Sequence, residues 1–206
     1  MATNKQSIML IKNLLIGTAI CLGMIAFTHS VKAQTMTKEE LKLMKNQMKD
    51  SLNSTNYVER QAKLDVLLSK PPATCGLESI DGLSTNSKKM IEEQKKTNDL
   101  LKTYVGQLTS DEEGQTGQQA GAKVSASDIL QLLTSVGTQL LSVTDALVKV
   151  TAAAADVTKV SPMKIGAAKK SIVYTKDALA GLGTQLASQS GILKQMQAYS
   201  QATKNL

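Results

Sequence analysis

Between residues 129 and 157 the apolar positions recur in alternating steps of four and three. Ile129, Leu133, Val136, Leu140, Val143, Leu147, Val150, Ala154 and Val157 follow one another without a miss. A second set keeps the same alternation: Ile165, Ala168, Ile172, Thr175, Leu179, Leu182, Leu186, Gln189, Leu193 and Met196, with only Thr175 and Gln189 polar. Sustained 3/4 spacing on this scale is the pattern of helices meeting along a coiled-coil seam. Ser125 and Asp128 stand at capping-box spacing before the first set, and Ser161-Pro162 separates the two. So short a connection makes the two helices antiparallel neighbours. The expectation is a coiled-coil hairpin with arms at about 125–160 and 163–204, each about 50 Å long. Small residues beside both seams, among them Gly137, Thr144, Thr151, Ala155, Ala180, Gly181 and Gly183, allow close approach.

The 34–110 region is patterned less regularly. Thr37-x-x-Glu40 is a second capping-box signal, and Leu41, Met44, Met48 and Leu52 follow at helical spacing. This predicts a helix from Thr37 to Ser69, with a kink or break in the weak stretch 51–56. Lys70-Pro71-Pro72 ends it. A loop is expected over 71–83, holding Cys75, Gly76 and Asp81-Gly82. The next helix is expected from Ser84 to Thr109, with Met90, Gln94, Thr97, Leu101, Tyr104 and Leu108 inward. Two of those six positions are polar, so a partly exposed helix is expected. Residues 111–124 have the Gly, Gln and acidic composition of a flexible linker. The fold class expected is all-α: the 125–206 hairpin packed with the N-terminal helices as an elongated bundle.

The first 33 residues are patterned differently. Lys5 and Lys12 lead into the charge-free run Leu14–Phe27, and Val31-Lys32-Ala33 resembles an A-x-A cleavage site before Gln34. That is the layout of a secretory signal peptide. The run is short of the ~20 apolar residues a membrane-spanning helix needs, which disfavours an uncleaved anchor. Lipid attachment at Cys21 is disfavoured by the bulky Ile20 before it. The protein is therefore expected to be exported, to a periplasm or to the cell surface.

Cleavage would change the chemistry available. It would remove the chain's only His, its only Phe and one of two Cys, leaving 173 residues with four Tyr as the only aromatics. Aliphatic side chains and Ala must then build the core. Three Lys and no acids lie in 1–33, so the net charge falls from +7 to +4. Nearly all of it is Lys interleaved with Glu and Asp, as on solvated helix faces. Arg60 is the only Arg of the chain, and no aromatics are interleaved with the lysines, so nucleic acid is not expected as a partner.

General acid–base work and activated nucleophiles usually call on His, and the mature chain would have none. His/Cys metal sites fall for the same reason, and Asp111-Glu-Glu-Gly114 is too short for a calcium loop. Ala180-Gly-Leu-Gly183 lies in heptad register and is no phosphate loop. No spacing singles out a Ser–Lys dyad or a carboxylate pair. No catalytic, cofactor or metal residue is expected. Cys75 would be left alone in a loop, free or in a disulfide between two chains.

These features point to an exported, non-catalytic helical protein that acts by protein–protein contacts or self-association. The layout of signal peptide, helical hairpin and Gly/Gln-rich interruption resembles small helical components of conjugative or secretion machines, such as the minor pilus subunits of type IV systems. The resemblance is one of architecture and carries no residue roles. The runner-up is a membrane-active protein that inserts its C-terminal hairpin. Residues 129–144 carry no charge, and Leu130, Leu132 and Leu141 lie off the seam. Against insertion, the same stretch is rich in Gln, Thr and Ser, and the second apolar face can instead pack on the N-terminal helices.

Overall fold

The computed structural model describes residues 36–110 and 124–203. The leader at 1–33 and all of the expected linker but Val124 lie outside the described residues. Among the described residues there is no strand; the elements are α1 (Lys38–Asn53), α2 (Thr55–Ser69), α3 (Glu78–Thr109), α4 (Ala126–Ala153) and α5 (Ile165–Thr203), with two short 3-10 turns between α4 and α5. They pack as an all-α bundle, as the hydrophobic pattern predicts.

Both capping boxes form. Thr37 Oγ1 accepts from the Glu40 amide at 3.2 Å, while Glu40 Oε2 accepts from the Thr37 amide at 2.7 Å. Ser125 and Asp128 repeat the exchange at 3.1 and 2.8 Å. The first helix is broken at Ser54, whose extended backbone ends α1 and starts α2. The Ser54 hydroxyl turns back to the Ser51 carbonyl at 2.9 Å and leaves α2 without a side-chain cap. The weak helix formers at 51–56 are thus the site of a true break.

Two boundaries differ from expectation. The loop is shorter than 71–83, because α3 begins at Glu78 and takes Asp81-Gly82 into its first turns. Asp81 is a loop residue in function only: its carboxylate accepts from the Cys75 and Gly76 amides at 2.9 and 2.8 Å. Gly76 stands at φ +82, a conformation that favours glycine. At the other end, α4 stops at Ala153, and Ala154–Lys159 tightens into a 3-10 turn before Val160. Val157, Thr158 and Val160 are β-branched and lie close before Ser161-Pro162, where α-helix is disfavoured.

α5 is the centre of the bundle. It packs against α1, α2, α3 and α4 alike, so its buried positions occupy more than one face. Gly181 lets α5 lie close to α2: an added Cβ would lie 3.0 Å from Leu64 Cδ2. In the expected seam, Ile172, Leu179, Leu182, Leu186 and Leu193 of α5 are buried, as are Ile129, Val136, Val143 and Val150 of α4. Leu133, Leu140 and Leu147 are only partly buried, whereas Leu132 and Ala146 are buried. The expected packing of the hairpin on the N-terminal helices explains the difference. α4 packs on α3 as well as on α5, and its buried stripe is rotated from the heptad seam to serve both.

Candidate functional site

Three helices each place a polar triplet at i, i+3 and i+4 against the centre of the bundle, a spacing that puts all three side chains on one face. They are Tyr57, Arg60 and Gln61 on α2, Gln94, Thr97 and Asn98 on α3, and Gln185, Ser188 and Gln189 on α5. The structure brings them into one layer. Tyr57 Oη donates to Asn98 Oδ1 at 2.7 Å and accepts from Gln189 Nε2 at 3.3 Å. Gln94 Nε2 donates to Gln61 Oε1 at 3.0 Å, and Gln185 Nε2 approaches the same oxygen at 3.5 Å. From α4, Gln139 Nε2 donates to Thr97 Oγ1 at 2.9 Å. Such a layer is costly unless satisfied, and it is not fully satisfied: Gln61 Nε2, Gln94 Oε1 and Gln189 Oε1 are buried without a protein partner.

Arg60 closes the layer on its outer side. Its Nε donates to Gln185 Oε1 at 3.1 Å and its Nη2 to Ser188 Oγ at 2.9 Å. Among the described residues the ion pairs are Lys88–Glu92, Lys95–Asp65, Lys149–Asp145 and Lys159–Asp156; Arg60 belongs to none of them. The guanidinium is therefore held by neutral acceptors. Burial pushes the Tyr57 phenol above 10.0, against the opposing pull of the Gln189 hydrogen bond and the Arg60 charge.

Two clefts flank Arg60. One, of about 490 Å³, is lined by Asp50, Ser51 and Ser54 at the α1–α2 break, by Tyr57 and Arg60, and by Ser188, Gly191, Ile192 and Gln195 of α5. The other, of about 810 Å³, runs between α2 and α5 and is more apolar, with Leu64, Leu67, Ala180 and Gly181 in its walls.

Cys75 differs from the accessible loop thiol expected. It is free and only 2% exposed, packed into the core beneath the Asp81-held turn. Burial pushes its thiol above 9.0. A disulfide between chains would require that turn to open. Among the described residues no group of three or more His, Cys, Asp and Glu is placed to hold a metal ion.

Sequence reasoning marked Gln94, Thr97 and Gln189 as polar seam positions but missed Tyr57, Arg60, Gln61 and Gln185. The signal was present as three repeats of one polar spacing and as the chain's single Arg. No protein family, curated protein or solved structure matches this chain.

Proposed function

We propose that the protein is an exported, non-catalytic helical component of the cell envelope or cell surface that works by protein–protein contacts. Export is supported by the charge and hydropathy layout of residues 1–33. The observation that carries the contact reading is the outer face of α4. Leu130, Leu141 and Val148 are 52%, 73% and 61% exposed. At about 100° per residue they lie within about 20° of one line along the helix. Thr134, Thr138, Ser142 and Thr144 between them turn their hydroxyls back to carbonyls four residues earlier, at 2.9–3.1 Å. Their donors are thus spent on the helix itself, and the surface between the apolar side chains offers acceptor oxygens and the Thr methyl groups. A protein partner recognises such a face by shape and apolar contact.

The experiment is capture of partners from envelope extracts by tagged protein, compared with a Leu141→Lys variant. The variant should keep the helical spectrum and melting of the parent and lose the captured partner. Equal capture by both proteins would remove α4 from the interface.

The same back-bonded hydroxyls favour a second reading, insertion of the C-terminal hairpin into a bilayer, because they lessen the cost of moving Ser and Thr out of water. Against it, no helix among the described residues is long and apolar enough to cross a membrane. Dye release from anionic vesicles by the folded protein would favour insertion over the contact reading.

A further inference from the structure

We propose that the protein forms a closed two-fold dimer in which the outer face of α4 of each copy fills the cleft between α2 and α5 of the other. The inference rests on the α4 contact reading and names the partner as a second copy of this chain. The neighbours of α5 do not close around it: among the described residues, no Cα of α2 lies within 8 Å of one on α4. The α5 surface between them carries Ala180, Gly181 and Thr184, and Val66 stands exposed on the α2 side. Small residues on such a floor admit a helix at close range. Groove and ridge also lie at one level. A Cβ added to Gly181 would meet Leu64 of α2, and one added to Gly183 would lie 3.8 Å from Val143 of α4. Leu141 and Val148, the exposed ridge of α4, bracket that level. A copy that turns its ridge into its partner's groove thus brings its own groove onto the partner's ridge, and the contact closes on itself.

Charge fixes the direction of approach. α2 runs antiparallel to α5, as the Tyr57–Gln189 and Gln61–Gln185 approaches show, and so does α4. α2 and α4 therefore point the same way, and a two-fold axis sets the α4 of one copy antiparallel to the α2 of the other. Around α4, Val143 faces α5 and Gln139 faces α3. At about 100° per residue, the flank beyond Val143 carries the small, exposed Gly137 and Thr144, which let the two α4 helices pass beside the axis. The flank beyond Gln139 carries Asp145 and Lys149 and turns toward α2 of the other copy. Antiparallel packing there sets Asp145 against Lys63 and Lys149 against Glu59, whereas a parallel approach would oppose like charges. Glu59 and Lys63 line the groove and belong to no ion pair among the described residues. Of the other charges lining it, Arg60 is turned to Gln185 and Ser188, and Asp177 opposes any acid brought in on the ridge.

Sedimentation equilibrium of the purified protein, from about 1 µM to about 1 mM, should fit a monomer–dimer equilibrium with no larger species. Leu141→Asp and Ala180→Lys should each weaken the dimer at least about thirtyfold, because each puts a charge into the contact twice. Both positions are exposed, so the helical spectrum should not change. An equimolar mixture of the two variants should dimerise again: one ridge-in-groove contact is then intact, and the other pairs the new acid with the new base. Lys63→Glu should weaken the dimer about fivefold, and Lys63→Glu/Asp145→Lys should restore it. A monomer at every concentration, a ladder of larger species, variants that dimerise like the parent, a mixture that stays monomeric or a charge swap without recovery would overturn the proposal. A monomeric protein whose Leu141→Lys variant still loses a captured envelope partner would sink this inference alone and leave the contact reading standing.

Discussion

Removal of one hydroxyl from the polar layer probes the packing most directly. Tyr57→Phe keeps the ring in place and deletes a group that donates to Asn98 at 2.7 Å and accepts from Gln189 at 3.3 Å. Asn98 and Gln189 are both buried, so neither can turn to solvent for a substitute. Each orphaned group costs about 1–3 kcal/mol. The longer Gln189 bond belongs at the low end of that range, and the phenol's own burial cost is recovered in part. The net expectation is a loss of about 2–3 kcal/mol. For a chain of this size, that lowers Tm by about 5–10 °C. Urea unfolding followed by circular dichroism would measure it. The companion Tyr57→Phe/Asn98→Leu removes both partners of the shorter bond and should cost at least about 1 kcal/mol less than the two single changes added together. A single variant within about 0.5 kcal/mol of the parent, or strictly additive changes, would refute the assignment of these bonds.

Other expectations follow from burial and charge. Leu186→Asp should unfold the protein or cost at least about 4 kcal/mol, because Leu186 is 1% exposed at the centre of the bundle. Leu140→Asp should cost clearly less, since that side chain reaches solvent at the edge of the α4 stripe; equal losses would restore the simple two-helix seam. Stability should be flat from about pH 5 to 8 and fall on both sides. Partial burial acts to raise the Asp81 carboxyl, but the Cys75 and Gly76 amides outweigh it and hold the group below 3.8. Its contribution is therefore present above 3.8 and lost as pH falls through the lowered value, and Asp81→Asn should blunt that acid limb in an unfolding series. Burial, with a smaller push from Glu92 on Tyr174, raises the Tyr57 and Tyr174 phenols, so their contribution is present below 10.0 and lost as pH rises through the raised values. A peptide of residues 125–204 should be helical yet melt broadly, because α5 also buries Gln185, Gln189 and Leu193 in a core built with α1–α3; a sharp cooperative transition would show that the hairpin folds alone.

The local chemistry of the chain and the pairing of α4 with α5 were legible; the other three-dimensional partnerships were not. Both capping boxes, the Ser54 break and the Pro71-Pro72 stop could be read directly, since each depends on residues within one helical turn. The α3 start was missed because Asp81-Gly82 reads as a turn, whereas the Asp81 carboxylate instead folds the preceding loop onto the helix. Leu133 was placed in the seam and Leu132 outside it because a 3/4 repeat assumes one partner helix. α4 has two, as the off-seam Leu132 hinted, but the repeat alone does not fix the rotation that serves both. Gln94 and Thr97 looked like signs of partial exposure, and Gln189 stood only as a polar position in the α5 stripe. Their partners lie on other helices, from 33 to 132 residues away in sequence, beyond the reach of any window used to judge amphipathicity. Arg60 stood out in composition, but only the placement of Gln185 and Ser188 shows which way its charge is held.

The helix on which all the others pack follows them in the chain. Without residues 165–203, α1 to α4 could bury only the parts of their inward faces that they turn to one another. Loss of residues 193–203 would remove Leu193 and Met196 from the core and leave the earlier segments exposed to proteases. The integrity of one helix thus decides whether the other four have a core to share.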